Sequence, residues 1–404
     1  MKNILKLFGI LALALCISVT SCVSPDNNNG KPDNNGGNGN GGNGNGNGDE
    51  DPFDISAKDF VDNMRVGWNL GNTFDAVGGG ATIDQLEAAW SGIVTTKANI
   101  DAIKNEGFDI IRIPVSWSKV ANSSNNYAIR EDWMNRIERI VGWAVMNDMY
   151  IIINTHHDSG TEGTIFRFLD TNVENSLIAF RQIWEQIAET FKWYDEKLIF
   201  EPLNEPRTGN DWNGTPEQYN NINRHYQVFV DTVRESGGNN EKRFLLFNTY
   251  AGSRNAAAMN GLVLPTDTAT DKLIVSYHAY VPDAFCFPGR YNDTNQWSET
   301  GRNGRDALDI TEPMDRFFQK FVQNNIPVII GEFGAMNKDN AAIRGQWVEF
   351  YTRSAKERGM PVVWWDNAQT TSSNANDELF GLLDRRTNQI IYPEVIDGLM
   401  RGSE

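Results

Sequence analysis

Residues 109–154 read DIIRIPVSWSKVANSSNNYAIREDWMNRIERIVGWAVMNDMYIIIN. Two short apolar runs in this stretch, Asp109–Val115 and Tyr150–Asn154, are rich in Ile and bounded by turn residues, which is typical of buried strands. Between them, Asp132–Asn147 has the apolar spacing of a helix. A strand, a helix and a second strand in this order predict a βα unit of a parallel sheet.

The same alternation continues over the rest of the chain from Phe53. Further strands are predicted at Arg65–Leu70, Leu198–Pro202, Phe244–Asn248, Leu273–Tyr277, Val328–Glu332 and Pro361–Trp365. Further helices are predicted at Thr96–Glu106, Asn175–Trp193, Pro216–Ser236, Ala307–Asn324, Asn340–Arg358 and Tyr392–Arg401, with a weak one near Ser253–Asn260.

Eight strands, each followed by a helical stretch, predict an α/β fold of the (β/α)8 TIM barrel type over residues 53–404. A doubly wound open sheet is the alternative. Such a sheet ordinarily has a Gly-rich phosphate turn after its first strand, whereas the turn here is Asn69-Leu70-Gly71-Asn72.

The first 52 residues predict export. Basic residues precede an apolar run at residues 7–19 that is too short for a membrane span, so residues 1–21 are predicted to be a signal peptide. Thr20-Ser21-Cys22 resembles a bacterial lipoprotein box, which predicts a lipidated Cys22 and anchoring at the bacterial outer membrane or cell surface. Ordinary cleavage and free secretion is the alternative. Residues 22–52, dominated by Asn and Gly, predict a flexible linker.

Composition excludes several classes of protein. Lys and Arg number 36 against 53 Asp and Glu, and a net charge of −17 disfavours nucleic-acid binding. Hydrophobic residues make up 40%, which is enough for a large core and excludes global disorder. Of the 3 Cys, only Cys286 lies in the predicted barrel, so we expect it to be packed, with no internal disulfide. Nothing in the sequence indicates oligomerisation, so we expect a monomer.

Polar side chains are concentrated where the predicted strands end, at the edge where barrel sites lie. They occur in Gly67-Trp68-Asn69, at Arg112, and in His156-His157-Asp158, Asn204-Glu205-Pro206, His278-Ala279-Tyr280, Glu332-Phe333-Gly334 and Trp364-Trp365-Asp366-Asn367. Of the 4 His residues, only His225 falls within a predicted helix, and we expect it to be a surface or packing residue.

Glu205 and Glu332 end the fourth and seventh predicted strands and are expected to face each other across the barrel mouth. Glycoside hydrolysis needs such a pair, with one carboxyl protonated at a raised pKa and the other ionised at a lowered pKa. We expect Arg112 to keep Glu332 charged and Asn204 to hydrogen-bond the 2-hydroxyl of a sugar. A structural role is the alternative for each, because Glu–Arg pairs also brace barrel interiors.

A metal-dependent barrel hydrolase is a competing interpretation, with His156, His157, Asp158, His278 and Glu205 as ligands. The first strand has no His-x-His pair, and an Arg in the same mouth opposes a cation, so we expect neither a metal nor another cofactor. A non-catalytic surface glycan-binding lipoprotein is a third interpretation. Retention of both Glu205 and Glu332 speaks against it.

Seven segments together resemble glycoside hydrolase family 5, the cellulase family of clan A. They are Gly67-Trp68-Asn69-Leu70-Gly71-Asn72, Ile111-Arg112-Ile113-Pro114-Val115-Ser116-Trp117, Asn154-Thr155-His156-His157, Glu201-Pro202-Leu203-Asn204-Glu205-Pro206, His278-Ala279-Tyr280, Ile330-Gly331-Glu332-Phe333-Gly334 and Trp364-Trp365-Asp366-Asn367. The run from Gly67 to Ala76 and the Trp-Trp-Asp-Asn segment are similar to the subfamily 4 endoglucanases and xyloglucanases. The resemblance covers about residues 60–400, in the family's order.

This resemblance implies a retaining double displacement without a cofactor. It assigns the general acid/base to Glu205 and the nucleophile to Glu332. It further implies that Tyr280 hydrogen-bonds the nucleophile, Arg112 holds it ionised, His156 and Asn204 position the sugar, and His278 supports the acid/base.

The resemblance also implies which residues bind the substrate. The aromatic platform of the eighth strand is one of Trp364 and Trp365, because only one of two adjacent strand residues can face the mouth. Alignment on the following Asp366 favours Trp365. Asn69 and His157 are expected to line the glycone side. Trp212 is expected either to stack on an aglycone sugar or to anchor its loop.

The expected substrate is a β-1,4-glucan: cellulose, mixed-linkage β-glucan or xyloglucan, with xylan and mannan as alternatives. The loops Thr161–Asn172 and Phe285–Arg305 are expected to shape the cleft and so to decide among these polysaccharides.

Overall fold

The structure, a computed structural model, describes residues 51–160, 165–168, 172–372 and 378–404. Eight parallel strands close into a barrel in sequence order, with β8 paired to β1. The strands are β1 (Val66–Leu70), β2 (Ile110–Ile113), β3 (Tyr150–Asn154), β4 (Leu198–Glu201), β5 (Leu245–Ser253), β6 (Leu273–His278), β7 (Val328–Phe333) and β8 (Val362–Asp366). The predicted (β/α)8 barrel is confirmed.

Helices surround the barrel. Among the described residues they are α1 (Ala57–Asp62), α2 (Ile83–Glu87), α3 (Lys97–Asn105), α4 (Glu131–Met146), α5 (Val173–Phe191), α6 (Pro216–Glu235), α7 (Ala256–Gly261), α8 (Asp283–Cys286), α9 (Arg305–Lys320), α10 (Ala341–Lys356) and α11 (Pro393–Ser403). The weak helix predicted near Ser253 begins only at Ala256, because β5 continues through Ser253.

Three short helices, α1, α2 and α8, and the two strands of an antiparallel hairpin, β9 (Leu383–Asp384) and β10 (Gln389–Ile390), were not predicted from the sequence. None is longer than 6 residues, so none shows a helical or strand period. Helix α1 contributes to the core at the lower end of the barrel. Its Phe60 stacks on Phe244 with ring centroids 3.9 Å apart.

The barrel interior has an apolar lower layer. It is formed by Ile110, Ile152, Ile199, Leu246, Ile274, Ile329 and Val363, all of which are fully buried or nearly so. At the corresponding position β1 has Gly67, where a Cβ would lie 2.9 Å from Ile110 Cβ and 2.8 Å from a methyl group of Val363. The layer is thus filled without a side chain from β1.

Two residues further along each strand, the interior becomes polar. Because strand side chains alternate, these positions lie on the same inner face as the apolar layer. They include Asn69, Arg112, Asn154, Glu201, Asn248 and Ser276, all of which are buried. Buried polar groups generally have hydrogen-bond partners, and most of this upper layer is connected in that way, although Ser276 Oγ and Asn248 Oδ1 have no partner among the described residues.

Several predictions concern residues outside this interior. Cys286 is buried, as predicted, and His225 is buried among aromatic rings, which confirms a packing role. Within the described residues, no helix combines the length and the apolar character needed to cross a bilayer. The predicted signal peptide, Cys22 and nearly all of the predicted linker lie outside the described residues.

Candidate active site

Arg112 is the centre of the polar layer. Its Nε and Nη2 donate to the two carboxylate oxygens of Glu201, both at 2.7 Å. Nη1 donates to Glu332 Oε1 at 2.7 Å and to Asn69 Oδ1 at 2.9 Å, and Nη2 also donates to Asn204 Oδ1 at 2.7 Å. All five N–H groups of the guanidinium therefore have acceptors, and its orientation is fixed.

Asn69 supports Arg112 from β1. Its amide nitrogen donates to the backbone carbonyl of Gly331 at 3.0 Å, which turns the amide oxygen towards Arg112. The residue has no exposed surface. The expectation that Asn69 lines the glycone side is therefore corrected: both ends of its amide are used inside the protein, and no surface remains for a sugar.

Glu332 reaches the barrel mouth through a β-bulge. Tyr277 of β6 is in register with Ile330 of β7, but the next pair is His278 with Glu332, so Gly331 is an extra residue. In a regular strand, alternation would turn residues 331 and 332 to opposite faces. The bulge turns both inwards, and only glycine fits at 331, because a Cβ there would lie 2.7 Å from Ser276 Oγ.

Two donors hold the Glu332 carboxylate. Arg112 contacts Oε1, as above, and the Tyr280 hydroxyl donates to Oε2 at 2.9 Å. Burial and the neighbouring Glu332 and Glu205 charges raise the pKa of Tyr280, so its hydroxyl remains a proton donor at any physiological pH. Glu332 is 5% exposed and has its carboxylate fixed at both oxygens.

Glu205 lies on the other side of His278. His278 Nδ1 is 2.9 Å from Glu205 Oε1 and 3.6 Å from Glu332 Oε2. Burial lowers the pKa of His278, but the charges of Glu332 and Glu205 outweigh that effect and raise it. The His278 imidazole therefore holds a proton on Nδ1 that it shares with Glu205.

The environment of Glu205 differs from the one expected for the acid of the pair. Burial raises the pKa of Glu205, but the hydrogen bond from His278, its charge and that of Arg207 outweigh burial, so the pKa is lowered. The expectation of a raised pKa for the acid is wrong for Glu205. The physical reason is that both His278 and Arg207 contact the carboxyl, whereas the resemblance implied only His278 beside it.

Asn204 and His156 lie beside these carboxylates, and both are 5% exposed. Because Arg112 takes the amide oxygen of Asn204, its amide nitrogen is the end left for a ligand. Asn154 donates to His156 Nδ1 at 3.1 Å. Burial, followed by the charges of His157 and Arg112, lowers the pKa of His156. His156 is therefore neutral, with its proton on Nε2.

A row of four rings extends from the carboxylates. Trp365 is parallel to His156 with centroids 5.7 Å apart, His156 contacts His157 at 4.4 Å, and Trp90 follows at 5.3 Å from His157. His157 is fixed by a 2.9 Å hydrogen bond from Nδ1 to the carbonyl of Asp75. Trp365 thus faces the mouth, as expected, whereas Trp364 is fully buried outside the barrel.

Trp212 lies in the loop after β4 and is 51% exposed. The guanidinium carbon of Arg207 is 4.2 Å from the centroid of its indole ring. The Tyr250 hydroxyl accepts from Thr208 N at 3.4 Å and donates to Asp211 O at 2.9 Å, which ties the loop to β5.

Of the loop predicted to shape the cleft after β3, residues 161–164 and 169–171 lie outside the described residues.

The five residues considered from the sequence as metal ligands do not form one cluster, although the structure brings ligand atoms of His156 and His157 within 4.8 Å of one from Asp75. The Asp158 carboxylate is buried and accepts backbone N–H groups of Trp117 at 2.9 Å and Ser118 at 2.7 Å. Ligand atoms of Glu205, His278 and Glu332 do lie within 4.8 Å of one another. However, a guanidinium contacts each of the two carboxylates, and positive charge at that distance opposes a cation.

Sequence reasoning missed three residues of this site: Glu201, Asn248 and Arg207. Glu201 binds Arg112, and Asn248 donates to Glu201 Oε1 at 2.6 Å. Both could have been found by alternation, because each is two residues beyond an apolar interior position. Arg207 lies in a loop, where no periodic signal exists.

Comparisons with known proteins agree with this geometry. The family model described as Cellulase (glycosyl hydrolase family 5) matches residues 74–371. Endoglucanase B of Ruminococcus albus is 39% identical over 360 residues, which is 88% of this chain and 83% of the relative. The cellulase/esterase CelE of Acetivibrio thermocellus is 40% identical over 354 residues, which is 87% of this chain but 41% of the relative. This chain therefore spans less than half the length of CelE.

A solved structure is similar over most of both chains. It is a GH5-4 broad specificity endoglucanase from Ruminococcus champanellensis with bound cellotriose, with a TM-score of 0.80 and 39% identity. The match covers 86% of this chain and 99% of that one.

Proposed function

Because the chain belongs to the cellulase family, glycosyl hydrolase family 5, we propose that it is an endo-β-1,4-glucanase that cleaves glucan backbones with retention of configuration. The observation that carries the mechanism is the distance between the two glutamates, whose nearest oxygens lie within 4.8 Å. Retaining glycosidases hold their carboxyl groups about 5–5.5 Å apart, whereas inverting enzymes need about 6.5–9.5 Å to admit a water.

In the first step, Glu332 attacks the anomeric carbon while Glu205 gives its proton to the leaving oxygen. The bond from the anomeric carbon to a Glu332 oxygen forms as the glycosidic bond breaks. Arg112 and Tyr280 hold Glu332 in place for this attack. Because the pKa of Glu205 is lowered in the free site, its proton must come from the pair that it forms with His278.

In the second step, ionised Glu205 takes a proton from water. The water oxygen then bonds to the anomeric carbon, and the bond to Glu332 breaks. This restores the carboxylate of Glu332 and the β configuration of the sugar. The cationic surroundings of Glu205 keep it ionised, which is the form that acts as base in this step.

The remaining side chains bind sugar units. Asn204 and His156 each present an N–H donor beside the carboxylates, suited to hydroxyl groups of the unit being cleaved. The rings of Trp365 and His157 continue on the glycone side, and the exposed face of Trp212 offers an aglycone platform. Flat rings suit the apolar C–H faces of pyranoses.

The proposed substrates are cellulose, mixed-linkage β-glucan and xyloglucan. The resemblance to a broad specificity endoglucanase with bound cellotriose supports a glucan as substrate. The proposed location is outside the cell, with Cys22 lipidated and the Asn/Gly-rich segment acting as a tether. Its attachment can be tested by labelling cells with radioactive palmitate, which a Cys22→Ser variant should not incorporate.

Hydrolysis assays with the full chain test the function. We expect release of oligosaccharides from barley β-glucan, carboxymethylcellulose and xyloglucan in the presence of EDTA, with little from xylan or mannan. Proton NMR during cellotetraose cleavage should show the β-anomer first. Binding of glucans without cleavage of any would instead identify a glycan-binding protein, and an initial α-anomer would exclude the double displacement.

A further inference from the structure

Arg207 is one of the two cationic groups beside Glu205, and the two steps described above give it no role of its own. Its Nη1 lies 3.2 Å from Glu205 Oε2 and 3.3 Å from the backbone carbonyl of the same residue. The side chains of Arg207 and Glu205 are 12% and 19% exposed, so solvent screens the pair only partly. A cation at this distance favours the charged form of a carboxyl group.

The guanidinium of Arg207 lies between two neighbours. On one side is the indole ring of Trp212, 4.2 Å from the guanidinium carbon. On another is Gly160, where a Cβ would come within 3.4 Å of the same carbon. Gly160 also pairs with Thr208 in a parallel β-bridge, which brings the two loops together beside Arg207. The cation is therefore held by packing as well as by charge.

We propose that Arg207 is a positioning residue that holds the Glu205 carboxyl group in its ionised form, and that Trp212 holds Arg207 in place. The proposal rests on the proposed function only in giving Glu205 the role of acid and base. Under that role, Arg207 favours the second step, in which Glu205 acts as base, and opposes the first, in which Glu205 must carry a proton.

Other charged and titratable groups surround Glu205 and must be considered with Arg207. Among the described residues, His278 of β6 hydrogen-bonds Glu205, and Glu332 of β7 lies beyond His278. His157, after β3, also lowers the pKa of Glu205. Substitution of Arg207 leaves these groups in place, so a change in the Glu205 titration on its removal reports on Arg207 itself.

The direct test is a carboxyl titration in the full chain. Glutamate labelled with 13C at the carboxyl carbon gives a Glu205 resonance that is assigned by its loss in Glu205→Gln. We expect the pKa of Glu205 to rise by about one unit in Arg207→Met. Trp212→Ala should raise it less. No rise in Arg207→Met would overturn the proposal.

Two further variants keep this test specific. Arg353→Met removes an arginine whose Nη2 is also 3.2 Å from a carboxylate, that of Glu299, and should leave the Glu205 titration unchanged. If Arg207→Met does not fold, as judged by circular dichroism, Arg207→Gln replaces it. The same outcomes then apply, because Gln also removes the charge.

Kinetics separate this proposal from the proposed function. In Arg207→Met, the alkaline limb of kcat/KM on cellotetraose should move up by the same amount as the NMR titration. For 2,4-dinitrophenyl β-cellobioside, whose leaving group needs no acid, the second step limits turnover, so the acidic limb of kcat, which reports ionised Glu205, should also move to higher pH. A shifted NMR titration with an unchanged pH profile of kcat/KM would support the proposal for Arg207. It would also show that Glu205 is not the acid of the proposed function.

Discussion

Nη1 of Arg112 lies 2.7 Å from Oε1 of Glu332 in a buried ion pair. The same guanidinium binds Glu201 through two hydrogen bonds, so one cation serves two buried carboxylates. The burial of these charges is compensated only while all three groups are present. The site and the barrel interior are therefore stabilised by the same interactions.

Arg112→Met should lower both stability and activity. Removal of the cation leaves Glu201 buried without a counter-charge, which costs about 3–5 kcal/mol of unfolding free energy. Urea denaturation at pH 7 measures the loss. Arg181→Met is the control, because Arg181 pairs with Glu185 on the surface and should lose less than about 1 kcal/mol. A loss below 1 kcal/mol in Arg112→Met would contradict the role of this network.

Glu332→Gln should abolish turnover without unfolding the chain. The amide keeps the shape of the side chain but cannot form the glycosyl ester, so we expect kcat on barley β-glucan to fall by about 10⁴-fold or more. Circular dichroism checks the fold. Glu185→Gln, on the surface of α5, should keep full activity. Retention of a tenth of the activity in Glu332→Gln would show that Glu332 is not the nucleophile.

Tyr280→Phe removes the donor to Glu332 Oε2. A hydrogen bond to a charged group contributes about 1.5–3 kcal/mol, so kcat should fall about 10- to 100-fold. Tyr392→Phe is the matched control, because the Tyr392 hydroxyl donates to the neutral carbonyl of Thr370 at 2.8 Å. Its kcat should not change. Equal kcat values for the two variants would mean that Tyr280 does not act on the nucleophile.

The two tryptophans of β8 should respond differently to truncation. Trp365 is partly exposed beside His156, so Trp365→Ala should raise KM for cello-oligosaccharides about tenfold with a small change in stability. Trp364 is fully buried and its Nε1 donates to the Phe380 carbonyl. Trp364→Ala should therefore cost about 3–5 kcal/mol in thermal or urea unfolding. The reverse pattern would contradict the orientation of β8.

His225 should make the protein sensitive to acid. Its Nδ1–H donates to the carbonyl of Asn221 at 2.7 Å, and Nε2 accepts from Ser176 at 2.8 Å. Burial lowers the pKa of His225 to about 4, from an ordinary value of 6.5. Between these values the unfolded chain binds the proton and the folded chain does not, so stability falls as pH falls from about 6.5 to about 4.

Urea unfolding of the wild type and His225→Gln over pH 7.5 to 4.5 measures this effect. The variant should be less stable at pH 7.5, because it loses packing. The difference in unfolding free energy between the two proteins should narrow by up to about 3 kcal/mol as pH falls. Other titrating groups contribute equally to both proteins. A difference in unfolding free energy that stays constant with pH would show that the pKa of His225 is the same in the folded and the unfolded chain.

The barrel and the position of its mouth could be predicted from the sequence, because each strand is a short apolar run and each run ends in polar residues. Alternation allows only one of Trp364 and Trp365 to face the mouth, and the resemblance at Asp366 favours Trp365. What the sequence did not predict lies where alternation fails or does not apply. The resemblance assigned Asn69 to the glycone side, whereas its complete burial and its contact with Arg112 depend on the packing of neighbouring strands.

The ionisation of Glu205 was also beyond the sequence. It depends on Arg207, two residues away, and on His278, which is remote in the chain. A loop arginine beside a proline has no periodicity to reveal its direction. Its position follows from contacts with Trp212 and Gly160 that only the folded loops bring together.

The bulge at Gly331 means that the position of Glu332 depends on the number of residues in β7 as well as on their types. Deletion of Gly331 would leave every other residue of the seven segments unchanged, yet Glu332 would then follow Ile330 directly and take the inward position of Gly331, one residue deeper in the barrel, where a Cβ would lie 2.7 Å from Ser276 Oγ. A chain shortened in this way would keep its aromatic rings and could hold a glucan without cutting it. In comparisons of related barrels, the number of residues between Ile330 and Phe333 is thus as informative about activity as the presence of the glutamates.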